Sequence, residues 1–417
     1  MSNKKFKVLV LSDHALSTSG VGTQTRHLIN SLLQKGCWSF RQFGAAIKHS
    51  NYNTVAVNED FIIKPIDGFG DPDLIRVTLA TEKPDLLFIF TDPRFFTWLF
   101  EIEDEVHQMC PIVWWHVWDN YPYPKFNDIF YKATDKINCH SYMTYEMLKN
   151  EGTHANKTSF IPHSIPDNLF YPLPDELVKQ NKIALLGKER EDHFVALWVN
   201  RNAKRKRPND ALLSWKIFLD GLERDYGHRK ATLIMHTEPT DGEGPNLFET
   251  SKALGLESSV FFSRDRIEFE KMNVIYNITD VCFTLSYAEG FGLSTLEAMM
   301  TGTPIVAAMT GGLTRQVVDH RDGSHNGVAL PINLKTLVGS QGVPYIYEDY
   351  VSNESVAEGL RKIHDLSSEE KKSLRKKVYD YAHTEFSHNK TVDLWHNSML
   401  DAIKEFKEYK TWDKFTY

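Results

Sequence analysis

Short apolar runs alternate with amphipathic stretches along most of the chain, the pattern left by repeated strand–helix–strand units and parallel sheets. In the first half, KVLVLSD, DLLFIF, PIVWWHV, KINCHS and TSFIPHS read as strands. A second series follows in HFVALWVN, ATLIMHTE, SVFFSR, VCFTL and PIVAAM. Between them lies IPDNLFYPLPDELVKQNKIALLGKERED, rich in proline and charge, which reads as a linker between two doubly wound α/β domains. The expected division is residues 1–172, a linker over 173–189, and residues 190–394. After Leu330 the chain turns charged and helical, and it ends on aromatics (Trp395, Tyr409, Trp412, Phe415, Tyr417) spaced for docking on another surface.

Composition sharpens this picture without changing it. The 417 residues, 41% hydrophobic and 25% charged, suit a globular protein of two domains. A net charge of −7 weighs against nucleic acid or an anionic membrane as the main partner. Cys37, Cys110, Cys139 and Cys282 form no C-x-x-C pair, so they read as buried small hydrophobes in a reducing compartment and not as a zinc site or disulfide framework. The apolar run of MSNKKFKVLVLSD stops at Asp13, as a buried first strand would and a secretory signal would not. The most apolar stretch, DLLFIFTDPRFFTWLF, is broken at Asp92, Pro93 and Arg94, well short of the ~20 residues a membrane span needs. A cytoplasmic protein is expected, with peripheral membrane contact left open and no oligomeric state indicated.

Candidate chemistry concentrates in SYAEGFGLSTLEAMMTGTPIVAAMTGG, Ser286 to Gly312. It reads as a strand end, a glycine-framed loop, a helix closed by Gly302, and the next strand. In such sheets ligands sit beyond the carboxyl ends of the strands, where this loop falls. Gly290 and Gly292 let backbone approach a ligand, and the first helical N–H groups, around Gly292 to Ser294, would face an anion. Ser294-x-x-Glu297 also fits a capping box, a purely structural alternative. Capping leaves Glu289, the second glycine and the Gly311–Gly312 turn unexplained. Two ionised glutamates accept from hydroxyls, and amides between them suit phosphate. A ligand with hydroxyls at both ends and phosphates in the middle is a nucleotide sugar.

A diphosphate needs positive charge, and RNAKRKRPND follows the strand HFVALWVN directly. A solvated basic loop is the plain reading of that run. Its position favours another: Arg201 stands at the strand's carboxyl end and Lys206 five residues on, both able to face the crevice and grip phosphate, with Lys204, Arg205 and Arg207 left exposed.

Together these residues resemble the retaining nucleotide-sugar glycosyltransferases of the GT-B fold, glycosyltransferase family four. The resemblance rests on E-G-F-G-L-S-T-L-E at Glu289 to Glu297, the family's E-x7-E signature. Ala298 to Val306, the Gly311–Gly312 turn, and Arg201 with Lys206 support it. In the first half it rests on Ser19-Gly20-Val21-Gly22, His116 and IPHSIPDNLFYP. It implies two Rossmann-like domains facing across a cleft that opens and shuts, with the final helix, residues 395–417, returning to the N-terminal domain. A plain amphipathic surface helix is the alternative for that tail.

The resemblance also implies roles. Glu297 would hold the ribose hydroxyls and Glu289 those of the transferred sugar, while Phe291, Gly292 and Leu293 would meet the sugar and distal phosphate through their amides. Arg201 and Lys206 would neutralise the leaving diphosphate, Ser263 and Arg264 would lie near the base, Gly20 and Gly22 would let a loop close on the diphosphate, and His116 would reach the sugar from the acceptor side. The family's H-D-x-x-P is here His116-Val117-Trp118-Asp119, so a histidine simply satisfied at a strand end is the competing reading. The donor expected is GDP-mannose, with UDP-sugars possible, and the acceptor a glycan or other hydroxyl. Trp114, Trp115, Trp118, Tyr121 and Tyr123 could stack on acceptor sugar rings or form core. No cofactor is expected. Asp71-Pro72-Asp73 begins a helix instead of ending a strand, so no essential Mg²⁺ or Mn²⁺ is expected either.

Two other classes stay open. A non-catalytic nucleotide-sugar binder would share the crevice, and a glycoside hydrolase would share the paired carboxylates without needing the cations. A dinucleotide dehydrogenase is weaker, because Gly20-x-Gly22-x-x-Thr25 lacks the third glycine.

Overall fold

The computed structural model describes residues 5–46, 51–264 and 267–409. The chain divides into two compact units, one of Met1–Ser164, Gly339–Pro344 and His388–Tyr417, the other of Ile165–Val338 and Tyr345–Ser387. The boundary at Ser164 falls earlier than residue 172. The expected linker is a helix, Asp175–Leu186, and Leu186 is buried in the core of the second unit. Its proline and charge thus mark helix entry and an exposed helical face.

The first unit carries β1 (Phe6–Asp13), β2 (Trp38–Ala45), β3 (Val55–Asn58), β4 (Phe61–Pro65), β5 (Leu86–Thr91), β6 (Ile112–His116), β7 (Lys136–Cys139) and β8 (Thr158–Phe160). They form one sheet in the order β3-β4-β2-β1-β5-β6-β7-β8, parallel except for the β3–β4 pair. The apolar runs of β1, β5 and β6 are buried, as a sheet covered on both faces demands. β2 was not visible in the pattern because Arg41, Gln42 and Gly44 interrupt it. Gln42 is nonetheless fully satisfied inside, its amide donating to Ser12 Oγ (2.7 Å) and Asp13 O (2.8 Å) and accepting from Ala15 N–H (3.2 Å).

The final helix, His388–Tyr409, begins before residue 395 and belongs to this unit. Trp395, Met399 and Ile403 join Val8, Phe88 and Trp115 in one core. Trp412, Phe415 and Tyr417 lie outside the described residues.

The second unit carries β9 (Phe194–Val199), β10 (Ala231–His236), β11 (Val260–Ser263), β12 (Val281–Thr284), β13 (Ile305–Ala308) and β14 (Gly327–Leu330), all parallel in the order β11-β10-β9-β12-β13-β14. Alternate residues of β9 serve opposite faces: Ala196 and Trp198 enter one core with Trp215 and Leu219, Val195 and Leu197 the other with Tyr276 and Met299. From β9 the chain builds first towards β11, then returns to place β12 on the other side. That reversal is a topological switch point, where open α/β sheets bind ligands.

The region after Leu330 is not simply helical. An antiparallel hairpin of β15 (Leu334–Val338) and β16 (Ile346–Tyr350) precedes helices Asn353–His364 and Ser368–Glu385. Cys110, Cys139 and Cys282 are buried, Cys37 is half-buried, and no disulfide joins any of the four. No helix among the described residues is long and apolar enough to cross a membrane.

Candidate active site

β9 and β12 are neighbours at the switch point, so the loops leaving their carboxyl ends meet. After β9, buried Asn202 donates from Nδ2 to Pro239 O (3.1 Å) and Pro245 O (2.8 Å), fastening this loop to the one after β10. A turn of 3-10 helix, Lys204–Lys206, follows, and Arg207 with φ +54° turns the chain into helix Pro208–Tyr226. The turn aims Lys206 and Arg205 at Glu289. Lys206 Nζ is hydrogen-bonded to Glu289 Oε2, and Arg205 Nη1 lies 3.2 Å from the same oxygen and 2.8 Å from Ala288 O.

Glu289 is buried. Burial alone would push its carboxyl up, but the charges of Lys206 and Arg205, with hydrogen bonds from Lys206 and Ser286, outweigh that and hold it at about 2. It is therefore an anion throughout the physiological range.

Arg201 is not part of this cluster. It is exposed and grips the loop after β10, with Nε 2.9 Å from Asp241 Oδ2 and Nη1 3.0 Å from Glu243 Oε2. Two carboxylates at hand in that loop claim it, and Arg205 takes the place beside Lys206 that Arg201 was expected to fill. Arg207 is not left exposed either: its guanidinium is buried against Asp210, Val351 O and the Tyr350 ring.

The glycine-framed loop is tightly built. Gly312 N–H donates to Glu289 O (2.9 Å), and a Cβ at Gly312 would stand 2.3 Å from Gly290 O, so any side chain there would force the loop apart. Gly292 adopts φ +90° and begins helix Leu293–Met300 with no side chain capping it. The amides at that end and the helix dipole are directed at whatever fills the loop. Gln316, wholly buried, orders the loop by donating from Nε2 to Phe291 O (2.7 Å) and Gly292 O (3.0 Å) while accepting from Thr295 Oγ1 (2.6 Å). The Phe291 ring packs edge-on to Phe386 in the core, leaving its backbone to face the loop.

The capping box is absent. Since the helix starts at Leu293, Ser294 lies within it, and Glu297 instead accepts from the Tyr276 hydroxyl (2.6 Å) on helix Phe269–Asn277. Glu297 is half-buried, and desolvation pushes its carboxyl up to about 7 against the opposing pull of Tyr276. A raised carboxyl binds a proton in the folded chain at pH values where the unfolded chain has lost it, so it costs stability fully above pH 7, less as pH falls, and nothing below about pH 4.5. Glu297→Gln is therefore expected to melt above the wild type at pH 8, with the difference gone at pH 4, a comparison that thermal melts across that range will settle.

Ser263 ends β11 with its hydroxyl 2.9 Å from His236 Nδ1, and Arg264 lies over the Phe248 ring. In the first unit, Ser19 caps helix Gly20–Leu33 by accepting from Gly22 N–H (2.9 Å) and donates to Asp13 Oδ2 (2.6 Å). A Cβ on Gly22 would stand 2.3 Å from Ser17 Oγ and 2.5 Å from His14 O, so the loop needs glycine to reach the helix.

His116 is wholly enclosed, its Nε2 2.8 Å from the Tyr131 hydroxyl, and burial drops its pKa well below the ordinary value. Its Nδ1 is buried and has no hydrogen-bond partner among the described residues, so the ring is only half satisfied within its own unit. Trp114, Trp115, Trp118 and Tyr123 are likewise core, and only Tyr121 among those aromatics is exposed. Asp71 caps helix Pro72–Glu82 and Asp73 pairs with Arg76. No group of three or more metal-ligating side chains comes together among the described residues.

Residues 182–337 match the family profile described as "Glycosyl transferases group 1". The second unit thus carries a group 1 glycosyl transferase domain. The chain is 38% identical over 182 residues to a D-inositol 3-phosphate glycosyltransferase of Corynebacterium diphtheriae (43% of this chain, 41% of the relative). It is 30% identical over 170 residues to one of Stackebrandtia nassauensis (40% and 37%), and 27% identical over 232 residues to a mannosylfructose-phosphate synthase of Agrobacterium fabrum (53% and 47%). The matched stretch spans less than half the length of each relative. Among solved structures, the fold resembles sucrose-phosphate synthase from Thermosynechococcus elongatus with a TM-score of 0.70 at 15% identity (97% of this chain, 99% of that one). Anabaena HepE, solved with UDP and glucose, matches with a TM-score of 0.68 at 14% identity (95% and 100%). At such identities the likeness is one of fold, two Rossmann-like units of the GT-B type.

Proposed function

We propose that the protein transfers a hexose from a nucleoside diphosphate sugar, GDP-mannose in preference to a UDP-sugar, to a hydroxyl of a glycan or other acceptor, keeping the anomeric configuration and needing no divalent metal. One observation carries the reading: a permanently ionised Glu289, held by Lys206 and Arg205, lies beside an uncapped helix start at the switch point of a parallel sheet. The cations and amides suit a diphosphate, and the acid suits sugar hydroxyls. The group 1 profile and the glycosyltransferase names of its relatives support it.

In the proposed reaction the bond between the anomeric carbon and the diphosphate breaks, and its electron pair leaves on phosphate oxygen. The acceptor oxygen bonds to the same face through an oxocarbenium-like state, and its proton passes to the departing phosphate. Lys206, Arg205 and the helix amides stabilise that leaving charge. Glu289, already engaged by two cations, orients the sugar and does not attack it. Glu297 takes the ribose hydroxyls, with Ser263 and Arg264 near the base. Four cysteines that form no disulfide support a reducing, cytoplasmic setting.

The test is to incubate the protein with GDP-mannose, UDP-glucose and related donors, with and without chelator, and follow release of nucleoside diphosphate. Donor-dependent release that survives chelation is expected, and proton NMR of any transferred product should show the donor's anomeric configuration. Tight donor binding without release would point to a nucleotide-sugar sensor. Hydrolysis of simple glycosides without nucleotide would point to a glycosidase.

A further inference from the structure

We propose that Asp349 is a positioning residue for the sugar end of the donor site and that the β15–β16 hairpin is a brace for the two loops that shape it. The inference rests on the donor reading above. Asp349, on β16, is a carboxylate only 2% exposed that the transfer chemistry does not use. Its Oδ2 accepts from Thr310 Oγ1 (2.8 Å), and its backbone N–H donates to Tyr287 O (2.7 Å). Thr310 immediately precedes the Gly311–Gly312 turn, and Tyr287 stands two residues before Glu289. One residue therefore reaches both loops.

The surroundings repeat the connection. The Tyr350 hydroxyl donates to Glu348, the residue before Asp349, and the Tyr287 and Tyr350 rings lie 5.7 Å apart. From the opposite side, Tyr287 N–H donates to Arg205 O (3.3 Å) and Arg205 Nη1 to Ala288 O. Ser286–Glu289 is thus held between the 3-10 turn and β16, and the glycine turn is held against it through the Gly312–Glu289 bond.

An isolated two-stranded hairpin is marginal in water. This one gains little core from its outer strand, where Leu334, Lys335, Thr336 and Leu337 are all exposed. Its inner strand is where it is anchored, and its anchors are the donor loops. The nucleotide end of the site draws on Glu297 and β11, whereas Asp349 holds Thr310 and Tyr287, so the brace acts on the transferred sugar and not on nucleotide affinity.

The experiment compares wild type with Asp349→Asn, Thr310→Val, the conservative Thr310→Ser, and Leu337→Ala as an exposed control on the same hairpin. For each, calorimetry gives Kd for GDP and UDP, steady-state kinetics give kcat and KM for the nucleotide sugar, and a melt gives Tm. Asp349→Asn and Thr310→Val are expected to lower kcat by about tenfold to a hundredfold, the scale of a small misplacement of reacting groups, with nucleotide Kd unchanged. Thr310→Ser and Leu337→Ala should match the wild type. Full kcat in Asp349→Asn and Thr310→Val would overturn the brace. So would equal losses of Tm and nucleotide affinity that Thr310→Ser shares, since they would mark a merely structural contact. A wild type that binds neither nucleotide would instead overturn the donor reading itself.

Discussion

Lys206→Ala is expected to lower nucleotide-sugar turnover by about 10²–10³-fold, the scale seen when a preorganised group facing developing charge is removed. Two effects combine. The leaving diphosphate loses its best-placed cation, since Lys206 is largely buried while Arg205 is more exposed and also engaged with Ala288 O. Glu289, in turn, loses the partner that most lowers its carboxyl, leaving a buried acid whose desolvation is opposed by Arg205 and Ser286 alone. That second effect has a pH signature. The folded carboxyl sits at about 2 against an ordinary 4.5, so the stability it contributes is complete above pH 4.5 and lost as pH falls towards 2. The variant should therefore melt below the wild type at pH 7, and the gap should close on acidification. Lys204→Ala, exposed on the same turn, is the control and should keep both turnover and Tm. Full turnover in Lys206→Ala would remove the cation from the mechanism.

The second large effect is on stability. Trp395→Ala is expected to cost the first unit about 3–5 kcal/mol, the range for emptying a buried large aromatic site. The indole is 0% exposed, and its ring centroid stands 5.3 Å from that of Phe88 and 4.9 Å from that of Trp115. Urea unfolding followed by far-UV circular dichroism should show an earlier transition in the variant. Trp395→Phe should recover most of the loss, because the indole N–H has no hydrogen-bond partner to forfeit. An unchanged transition in Trp395→Ala would mean that the final helix does not complete this core.

What the sequence disclosed and what it hid follow from one distinction, between local pattern and partner choice. β9 and β12 were visible because strands buried on both faces are written as unbroken apolar runs, and Glu289 and Lys206 were visible because each lies just past such a run. β14 is four residues long, and β15 exposes most of its side chains, so neither leaves a pattern to read. Which arginine would join Glu289 was not local information. It depended on Asp241 and Glu243 lying in reach of Arg201, and on Asn202 tying two loops together. Ser294-x-x-Glu297 satisfied the spacing of a capping box, yet the helix began at Leu293 and Tyr276 claimed the glutamate. His116 shows the same limit, since its burial against Tyr131 depends on a helix fifteen residues away. Gln316, Tyr276 and Asp349 carry no motif and emerge only when their partners are placed.

The central claim is that a diphosphate belongs at the start of helix Leu293–Met300, beside Lys206. A crystal structure of the protein soaked with GDP or UDP tests it most directly. The claim requires phosphate oxygens within hydrogen-bond reach of Lys206 Nζ and of the amides around Gly292 and Leu293, with Glu297 on the ribose. A nucleotide bound elsewhere on the protein, or bound with Lys206 still closed on Glu289 and away from phosphate, would contradict it.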